Sequence, residues 1–148
     1  MKALIVYDST YGNTEKIAEA ISVAIDGDVK IMKVNQINLS ALESLDLFFI
    51  GCPTNGGRPT PAMQDFLKIL PENKIKGLNV AVFDTRFPHR IVKIFGFAAD
   101  KMATDLKSKG ANILSSEGFF VKSKSGPLTE GELERAANWA NKIIKTQR

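Results

Sequence analysis

ALIVYDSTYGNT, residues 3–14, is the stretch of sequence that decides the fold. Its first five residues are apolar and mostly branched, which predicts a strand buried on both faces, as in a parallel sheet. After the stretch, apolar residues recur at helical spacing from Ile17 to Ile25 with charged residues between them, which predicts an amphipathic helix. The polar turn 8–14 therefore joins the carboxyl end of a central strand to the start of a helix.

This turn carries the groups that bind an anion. A helix start presents free backbone N–H groups and the positive end of the helix dipole, and Gly12 lets the backbone approach a guest closely. The turn contains neither Lys nor Arg, so we expect a phosphate held by neutral donors. Simple helix capping is the alternative, but it needs only one such side chain. The side-chain donors of the turn are Ser9, Thr10, Asn13 and Thr14.

Length, charge and cysteine content limit the class of protein. The chain has 148 residues, which predicts a single domain, 1–148, with a substantial core. No apolar run is long enough to cross a membrane, and the apolar N-terminus lacks a signal-peptide cleavage site. Cys52 is the single cysteine, which excludes an internal disulfide and favours a cytoplasmic location. The net charge of +4 is spread along the chain without a nucleic-acid motif, so we expect no nucleic-acid partner.

The rest of the chain alternates between strand and helix patterns. Alternating apolar and polar residues predict an edge strand, and shorter apolar runs predict the other strands. The predicted strands after the first are 29–34 at the edge, 47–50, 80–83 and a last strand made of 111–114 and 118–121, with an interruption near 115–116 left open.

Three further helices follow from start and stop signals. Thr60 and Pro61 are an N-cap and a first-position proline, and they predict a helix that ends before Pro71. A second helix covers 97–109, with Gly110 at its end. The last follows a capping box at 129–132 and buries apolar residues, with Trp139 half-buried; those residues are Leu133, Ala136, Ala137, Ala140, Ile143 and Ile144.

Five strands alternating with helices predict an α/β three-layer sandwich with right-handed crossovers. The all-apolar strands 3–7 and 47–50 belong in the middle of the sheet, and 29–34 at its edge, consistent with a parallel sheet of order 2-1-3-4-5. Ligands bind such sheets beyond the carboxyl ends of the strands, where the winding reverses. The loops 8–14, 51–60 and 84–90 leave these ends.

Ser9-Thr10-Tyr11-Gly12-Asn13-Thr14 resembles the phosphate loop of the flavodoxin family, which follows the first strand and wraps the terminal phosphate of FMN without a basic side chain. The resemblance covers essentially the whole chain. It implies a flavodoxin-like fold, FMN as the cofactor and one-electron transfer between redox partner proteins.

The loop after the third strand resembles its flavodoxin counterpart, which implies that Pro53, Thr54, Asn55, Gly56 and Gly57 border the flavin. In that family the glycine at the place of Gly56 can turn its peptide so that the carbonyl accepts a hydrogen bond from flavin N5. Asn55 departs from the pattern, because many flavodoxins stack a tryptophan there. One face of the ring is therefore expected to be open or covered by another group.

Asp84-Thr85-Arg86-Phe87 matches the position where the family grips the pyrimidine edge of the flavin with backbone groups. The resemblance makes Asp84, Thr85, Arg86 and Phe87 candidate site residues. Phe87 is the best candidate for an outer stacking aromatic, with His89 and Phe95 as alternatives.

Two other functions remain open at this point. An FMN-dependent NAD(P)H or quinone oxidoreductase is favoured by the open ring face at Asn55. A phosphatase is suggested by the Cys-x5-Arg spacing of Cys52 and Arg58, in which a thiolate attacks phosphorus. Pro59 argues against it, because phosphatases place Ser or Thr there. A receiver domain is excluded, because no aspartate stands at the end of the third strand.

Basic residues in or just beyond two of the loops predict a positive rim around the flavin: Arg58, Arg86, Arg90 and Lys93. Such a rim implies an acidic docking surface on the partner and a less negative potential for the second one-electron reduction. The alternative is an ordinary solvated surface.

Overall fold

A computed structural model describes residues 1–88 and 96–147 of the chain. The strands are β1 Lys2–Tyr7, β2 Asp28–Lys33, β3 Leu47–Pro53, β4 Asn79–Arg86 and β5 Asn112–Phe120. The helices are α1 Asn13–Ala24, α2 Pro61–Ile69, α3 Glu72–Ile75, α4 Ala98–Ser108 and α5 Glu132–Thr146. Two 3-10 helices, Val34–Gln36 and Leu39–Leu42, connect β2 to β3.

The five strands form one sheet of order β2-β1-β3-β4-β5, and every neighbouring pair is parallel. The predicted fold class, strand order and edge position of β2 are therefore confirmed. Every residue of β1 from Ala3 to Tyr7 is buried, as are the first six residues of β3. This burial is the reason why both strands are apolar without alternation.

Successive side chains of each strand enter two separate cores. Leu4, Phe48 and Val82 pack on one face with residues of α2 and α4. Ile5 and Phe49 pack on the other face with residues of α1 and α5. Helices on both faces produce the three-layer sandwich that the sequence predicts.

β4 is longer than predicted. Residues 84–86 were expected to begin a loop, but Asp84 pairs with Cys52 of β3 and with Gly118 of β5, and the strand ends at Arg86. The loop prediction was wrong for these residues because the polar sequence resembles a loop. Hydrogen-bonded strands on both sides nevertheless hold the backbone extended.

β5 is continuous from Asn112 to Phe120. Its register against β4 shifts between Val80 and Ala81, whose partners are Ile113 and Ser115. The irregularity is thus a bulge within one strand and not an interruption at 115–116.

The start of α5 differs from the predicted capping box. Its N-cap is Gly131, at a left-handed φ of 84°, without a side-chain cap, and the Thr129 N–H donates to the Phe120 carbonyl. Leu133 is 46% exposed, so its predicted burial is wrong as well. Trp139 is buried deeper than predicted, and its indole N–H donates to Ser115 Oγ over 2.9 Å.

Within the described ranges, no helix has the length and apolar character needed to cross a membrane. His89, Arg90, Lys93 and Phe95, which the sequence analysis considered, lie outside the described residues.

Candidate functional site

A cavity of about 350 Å³ opens at the carboxyl ends of β1, β3 and β4. Its volume falls within the usual range of small-molecule sites. The lining residues are Ser9, Thr10, Tyr11, Asn13, Thr14, Pro53, Thr54, Asn55, Gly56, Thr85, Arg86, Phe87, Val121 and Lys124.

The cavity brings together residues from all three predicted loops. Three of the predicted site residues do not line it, namely Gly12, Gly57 and Asp84. Val121 and Lys124 also line the cavity but were not predicted, because only the loops after the first, third and fourth strands were expected to border the site. The loop after β5 leaves the same edge of the sheet, so the predicted strand order was the signal that could have found it.

The turn 8–14 is folded by its own short side chains. The Ser9 N–H donates to Asp8 Oδ1, and the Gly12 N–H donates to Ser9 Oγ, each over 3.0 Å. Gly12 is the N-cap of α1 at a φ of 90°, a left-handed conformation that favours glycine. It makes no side-chain cap, so simple capping does not describe this helix start. The first N–H groups of an α-helix have no partner inside the helix, and those of α1 begin beside the cavity.

The carboxylates of Asp8, in the turn, and Glu15, just after it, are engaged in hydrogen bonds. Thr60 Oγ1 donates to Asp8 Oδ2 over 2.5 Å, while the same Thr60 hydroxyl caps α2 by accepting the Met63 N–H. Glu15 Oε2 accepts the Tyr7 hydroxyl over 2.8 Å. Burial, and then this bond to Glu15, raise the pKa of Tyr7 to about 12.

Thr14 links α1 to the fourth strand. Its hydroxyl lies 3.0 Å from the hydroxyl of Thr85, and both residues are buried. The Thr54 N–H donates to the Thr85 carbonyl over 2.9 Å. The three walls of the cavity are therefore joined through Thr85.

Residues 55–58 form a tight turn at the cavity rim. The Asn55 N–H donates to the Arg58 carbonyl over 2.8 Å, and the Arg58 N–H donates back over 3.0 Å. Gly56 and Gly57 both have positive φ, at 55° and 80°, as a type I′ hairpin turn requires. Asn55 and Gly56 are exposed, so the rim is open at the place where the sequence lacks a tryptophan.

Asp84 and Arg86 of β4 form a buried ion pair. Asp84 is fully buried and accepts hydrogen bonds from Arg86 Nε over 2.7 Å, Arg86 Nη2 over 2.8 Å and the Ala99 N–H over 2.9 Å. Burial raises the pKa of Asp84, although the Arg86 guanidinium opposes this shift. The guanidinium carbon lies 3.6 Å from the centre of the Phe97 ring, and Gly118 leaves it room that no larger residue could. The charge of Arg86, one of the residues of the predicted positive rim, is therefore balanced by Asp84.

Cys52 is unsuited to nucleophilic catalysis. Its side chain is fully buried, with the sulfur 3.9 Å from Met102 Sδ, whereas Arg58 is exposed. Burial raises the pKa of the thiol far above its ordinary value, so a thiolate is disfavoured. The phosphatase alternative is contradicted by this geometry.

No group of His, Cys, Asp and Glu side chains among residues 1–88 and 96–147 could hold a metal ion. The side-chain donors around the cavity are hydroxyls and amides, together with the cationic groups of Arg86 and Lys124. This set suits a phosphate, and the aromatic rings of Tyr11 and Phe87 suit a flat ring system.

Comparison with known proteins agrees with this chemistry. Residues 4–111 match the family model described as "Flavodoxin domain". The chain is 31% identical, over 152 aligned positions, to a flavodoxin of Maridesulfovibrio salexigens, covering 96% of each protein. It is 35% identical, over 150 positions, to the probable flavodoxin 1 of Bacillus subtilis, covering 97% of this chain and 90% of that protein.

Solved structures share the fold. A flavodoxin from the domain Archaea superposes with a TM-score of 0.83 at 22% identity, covering 99% of both chains. Oxidised flavodoxin 1 from Bacillus cereus superposes with a TM-score of 0.79 at 20% identity, covering 98% of both.

Proposed function

The chain belongs to the flavodoxin family of FMN-binding electron carriers, and on this premise we propose which of its residues hold FMN and how it meets its redox partners. FMN supplies the electron-transfer chemistry when bound, since no side chain of the protein can accept and release single electrons in this way. The chain itself binds the cofactor, orients it and restricts access to it.

The phosphate of FMN occupies the turn 8–14 in this proposal. The observation that carries it is that α1 begins without a side-chain cap and that its first residues, Asn13 and Thr14, line the same cavity as Ser9 and Thr10. The helix dipole and these neutral donors together stabilise a dianion. Thr14 adds a hydroxyl whose position is held by Thr85.

The ring system occupies the other end of the cavity. Pro53 to Gly56 form one wall, and Thr85, Arg86 and Phe87 form another. Gly56 and Gly57 leave their shared peptide free to turn, because positive φ costs glycine little. Phe87 offers an aromatic face, and the exposed Asn55 leaves its part of the cavity rim accessible to a partner.

Redox partner proteins meet the chain at the exposed side of this cavity, and we assign them an acidic docking surface. Arg58 and Lys124 are both exposed, one beside the rim turn and one in the cavity lining. Unlike charges speed association, an effect that salt suppresses. Electron transfer to an acidic ferredoxin should therefore slow as salt rises, and slow further in Arg58→Glu. Faster transfer to a basic c-type cytochrome at low salt would contradict the proposal.

A cytoplasmic location and a single domain spanning 1–148 remain part of the proposal. The single cysteine is consistent with a reducing compartment, and residues from β1 through α5 share the core on one face of the sheet.

Reconstitution of the apoprotein tests the function directly. We expect FMN to bind much more tightly than riboflavin, the bound flavin to be reduced in two one-electron steps, and FMN to be the flavin released from the purified protein. Equal affinity for FMN and riboflavin would contradict the phosphate assignment. Sustained NADPH oxidation with a quinone acceptor would instead support the oxidoreductase alternative.

A further inference from the structure

We propose that Lys124 is a phosphate-binding residue, a positive charge that the loop after β5 brings to a turn that has none of its own. The inference rests on the proposed FMN site and adds a residue to it. The turn 8–14 contains no basic side chain, so its sequence predicts recognition by neutral donors alone. The tertiary structure adds a lysine from 110 residues further along the chain to the lining of the same cavity.

The loop 121–128 runs from the β4 wall toward the phosphate turn. At its start the Val121 N–H donates to the Arg86 carbonyl over 3.0 Å. Near its end Gly126 lies directly against Asn13, close enough that a Cβ on Gly126 would be 2.6 Å from Asn13 Oδ1. Lys124 stands two residues before this contact. The loop therefore carries Lys124 to the side of the cavity where α1 begins.

The loop tip is held by its own hydrogen bonds. The Gly126 N–H donates to the Ser123 carbonyl over 3.0 Å, and Ser123 Oγ donates to the Gly126 carbonyl over 2.5 Å. The Lys122 N–H donates to the Pro127 carbonyl over 2.9 Å. Because the backbone on both sides of Lys124 is fixed, its side chain starts from a defined position beside the cavity.

The two lysines of this loop differ in their partners. Lys122 Nζ lies 3.7 Å from Glu130 Oε1, and Lys122 does not line the cavity. Lys124 forms no ion pair with any residue in 1–88 or 96–147. The nearby carboxylates of Asp8 and Glu15 are engaged by Thr60 and Tyr7. Of the basic residues that line the cavity in the described part of the chain, Arg86 is paired with Asp84 and Lys124 has no ion pair, so Lys124 is available to a phosphate and Lys122 is its matched control.

An exposed charge at this position acts mainly through long-range attraction. Its effect should be modest, should depend on salt, and should be absent for a ligand without a phosphate. Lysine suits the role because its ammonium group is a point charge that binds phosphate without a fixed orientation.

The test measures the dissociation constants of FMN and riboflavin for wild type, Lys124→Gln, Lys124→Arg and Lys122→Gln. At about 20 mM ionic strength, Lys124→Gln should weaken FMN roughly 5- to 10-fold, and at about 500 mM less than 2-fold. Riboflavin affinity should be unchanged, Lys124→Arg should bind FMN like wild type, and so should Lys122→Gln.

Three outcomes overturn the proposal while leaving the FMN site intact. One is wild-type FMN affinity in Lys124→Gln at low salt. Another is an equal loss for FMN and riboflavin, which would indicate a packing role for the loop. The third is an equal loss in Lys122→Gln, which would indicate a general charge effect. If wild type itself binds FMN no better than riboflavin, the proposed function fails instead.

Discussion

Helices α1 and α4 begin at the same edge of the sheet but differ in whether side chains cap their first turns. At the start of α4, Thr54 Oγ1 accepts the Ala98 N–H over 3.0 Å, and the carboxylate of Asp84 accepts the Ala99 N–H over 2.9 Å. At the start of α1, the N-cap Gly12 makes no side-chain cap. The start of α4 is thus closed, because the carboxylate of Asp84 binds it, whereas the start of α1 is open, because no side chain caps it.

The difference indicates where an external anion belongs. Both helix ends carry the same partial positive charge and the same N–H groups that lack a partner within the helix. At α4 a fully buried carboxylate supplies the negative charge, and Arg86 balances it in turn. At α1 the adjacent cavity is open, and in the proposed FMN site the phosphate of the cofactor supplies the negative charge.

The start of α5 is an intermediate case that sharpens the comparison. It also begins at a left-handed glycine without a side-chain cap, Gly131. There, however, the carboxylate of Glu132 accepts the Phe120 N–H over 2.7 Å and bonds Arg135 twice. A glycine N-cap alone is therefore not a sign of an anion site; what distinguishes α1 is that its first residues line the cavity.

The largest effect is expected on stability, when the carboxylate that caps the start of α4 is replaced. Asp84→Asn leaves the guanidinium of Arg86 without its buried partner and weakens the bond to the α4 N-terminus. We expect a loss of about 3–5 kcal/mol in the free energy of unfolding, measured by urea denaturation of the apoprotein. The exposed Asp26→Asn is the control and should stay within about 0.5 kcal/mol of wild type. A similar small change in Asp84→Asn would show that the pair does not stabilise this end.

Removing a donor at the open helix end should affect binding rather than stability. Thr10 is exposed in the cavity lining, and a hydrogen bond to a charged group contributes about 1.5–3 kcal/mol. Thr10→Ala should therefore weaken FMN by roughly 10- to 100-fold, while riboflavin affinity and the unfolding midpoint stay unchanged. Thr104→Ala, on the exposed side of α4, serves as the control. Loss of riboflavin affinity to the same extent would remove Thr10 from the phosphate site.

The carboxylate of Glu132 at the start of α5 should make the stability of the protein depend on pH. Burial acts to raise the pKa of Glu132, but the hydrogen bonds from Arg135 and the Phe120 N–H outweigh it and lower this pKa below its ordinary value. A lowered pKa in the folded state stabilises the protein above the ordinary pKa, and this contribution is lost as pH falls through the folded value. Wild type should lose stability more steeply than Glu132→Gln below about pH 5. Equal slopes for Glu132→Gln and the exposed Glu134→Gln would contradict this role.

The smallest effect is expected in the reduction potential of the flavin when an arginine without an ion pair is replaced. Arg86 is neutralised by Asp84, whereas Arg58 is exposed and forms no ion pair with the described residues. At an effective dielectric near 20 and a separation near 15 Å, a unit charge contributes about 1 kcal/mol, or roughly 50 mV for one electron. Arg58→Gln should lower the potential of the second one-electron reduction by up to this amount at low salt, and less at high salt. No shift at low salt would make Arg58 part of an ordinary solvated surface.

Much of the fold could be predicted from the sequence because its signals are local. The apolar runs of β1 and β3 predict buried parallel strands, and Thr60 with Pro61 predicts the start of α2, where Thr60 indeed caps the helix. The turn 8–14 could be assigned to a strand-to-helix junction for the same reason.

Predictions failed where a residue's state depends on distant partners. Asp84 and Arg86 are polar residues of a kind typical of loops. In the structure, pairing with β3 and β5 and the ion pair between the two side chains hold them in β4. Glu132 belongs to a plausible capping box, yet Arg135 and Phe120 determine its contacts. In each case a long-range or tertiary hydrogen bond outweighs the local preference.

The amino-acid sequence by itself determined the α/β class and the polar turn on which α1 begins, because hydrophobic periodicity and turn chemistry act over a few residues. The strand patterns were consistent with the order 2-1-3-4-5, which the pairing of the strands established. Only the tertiary structure decided which helix ends are closed from within and which charges reach the cavity. Lys124 lies far from the turn in sequence and joins its cavity through the loop after β5. Arg86 lies in a predicted loop and is neutralised by Asp84. Electrostatic balance depends on distances between residues that the chain brings together only on folding.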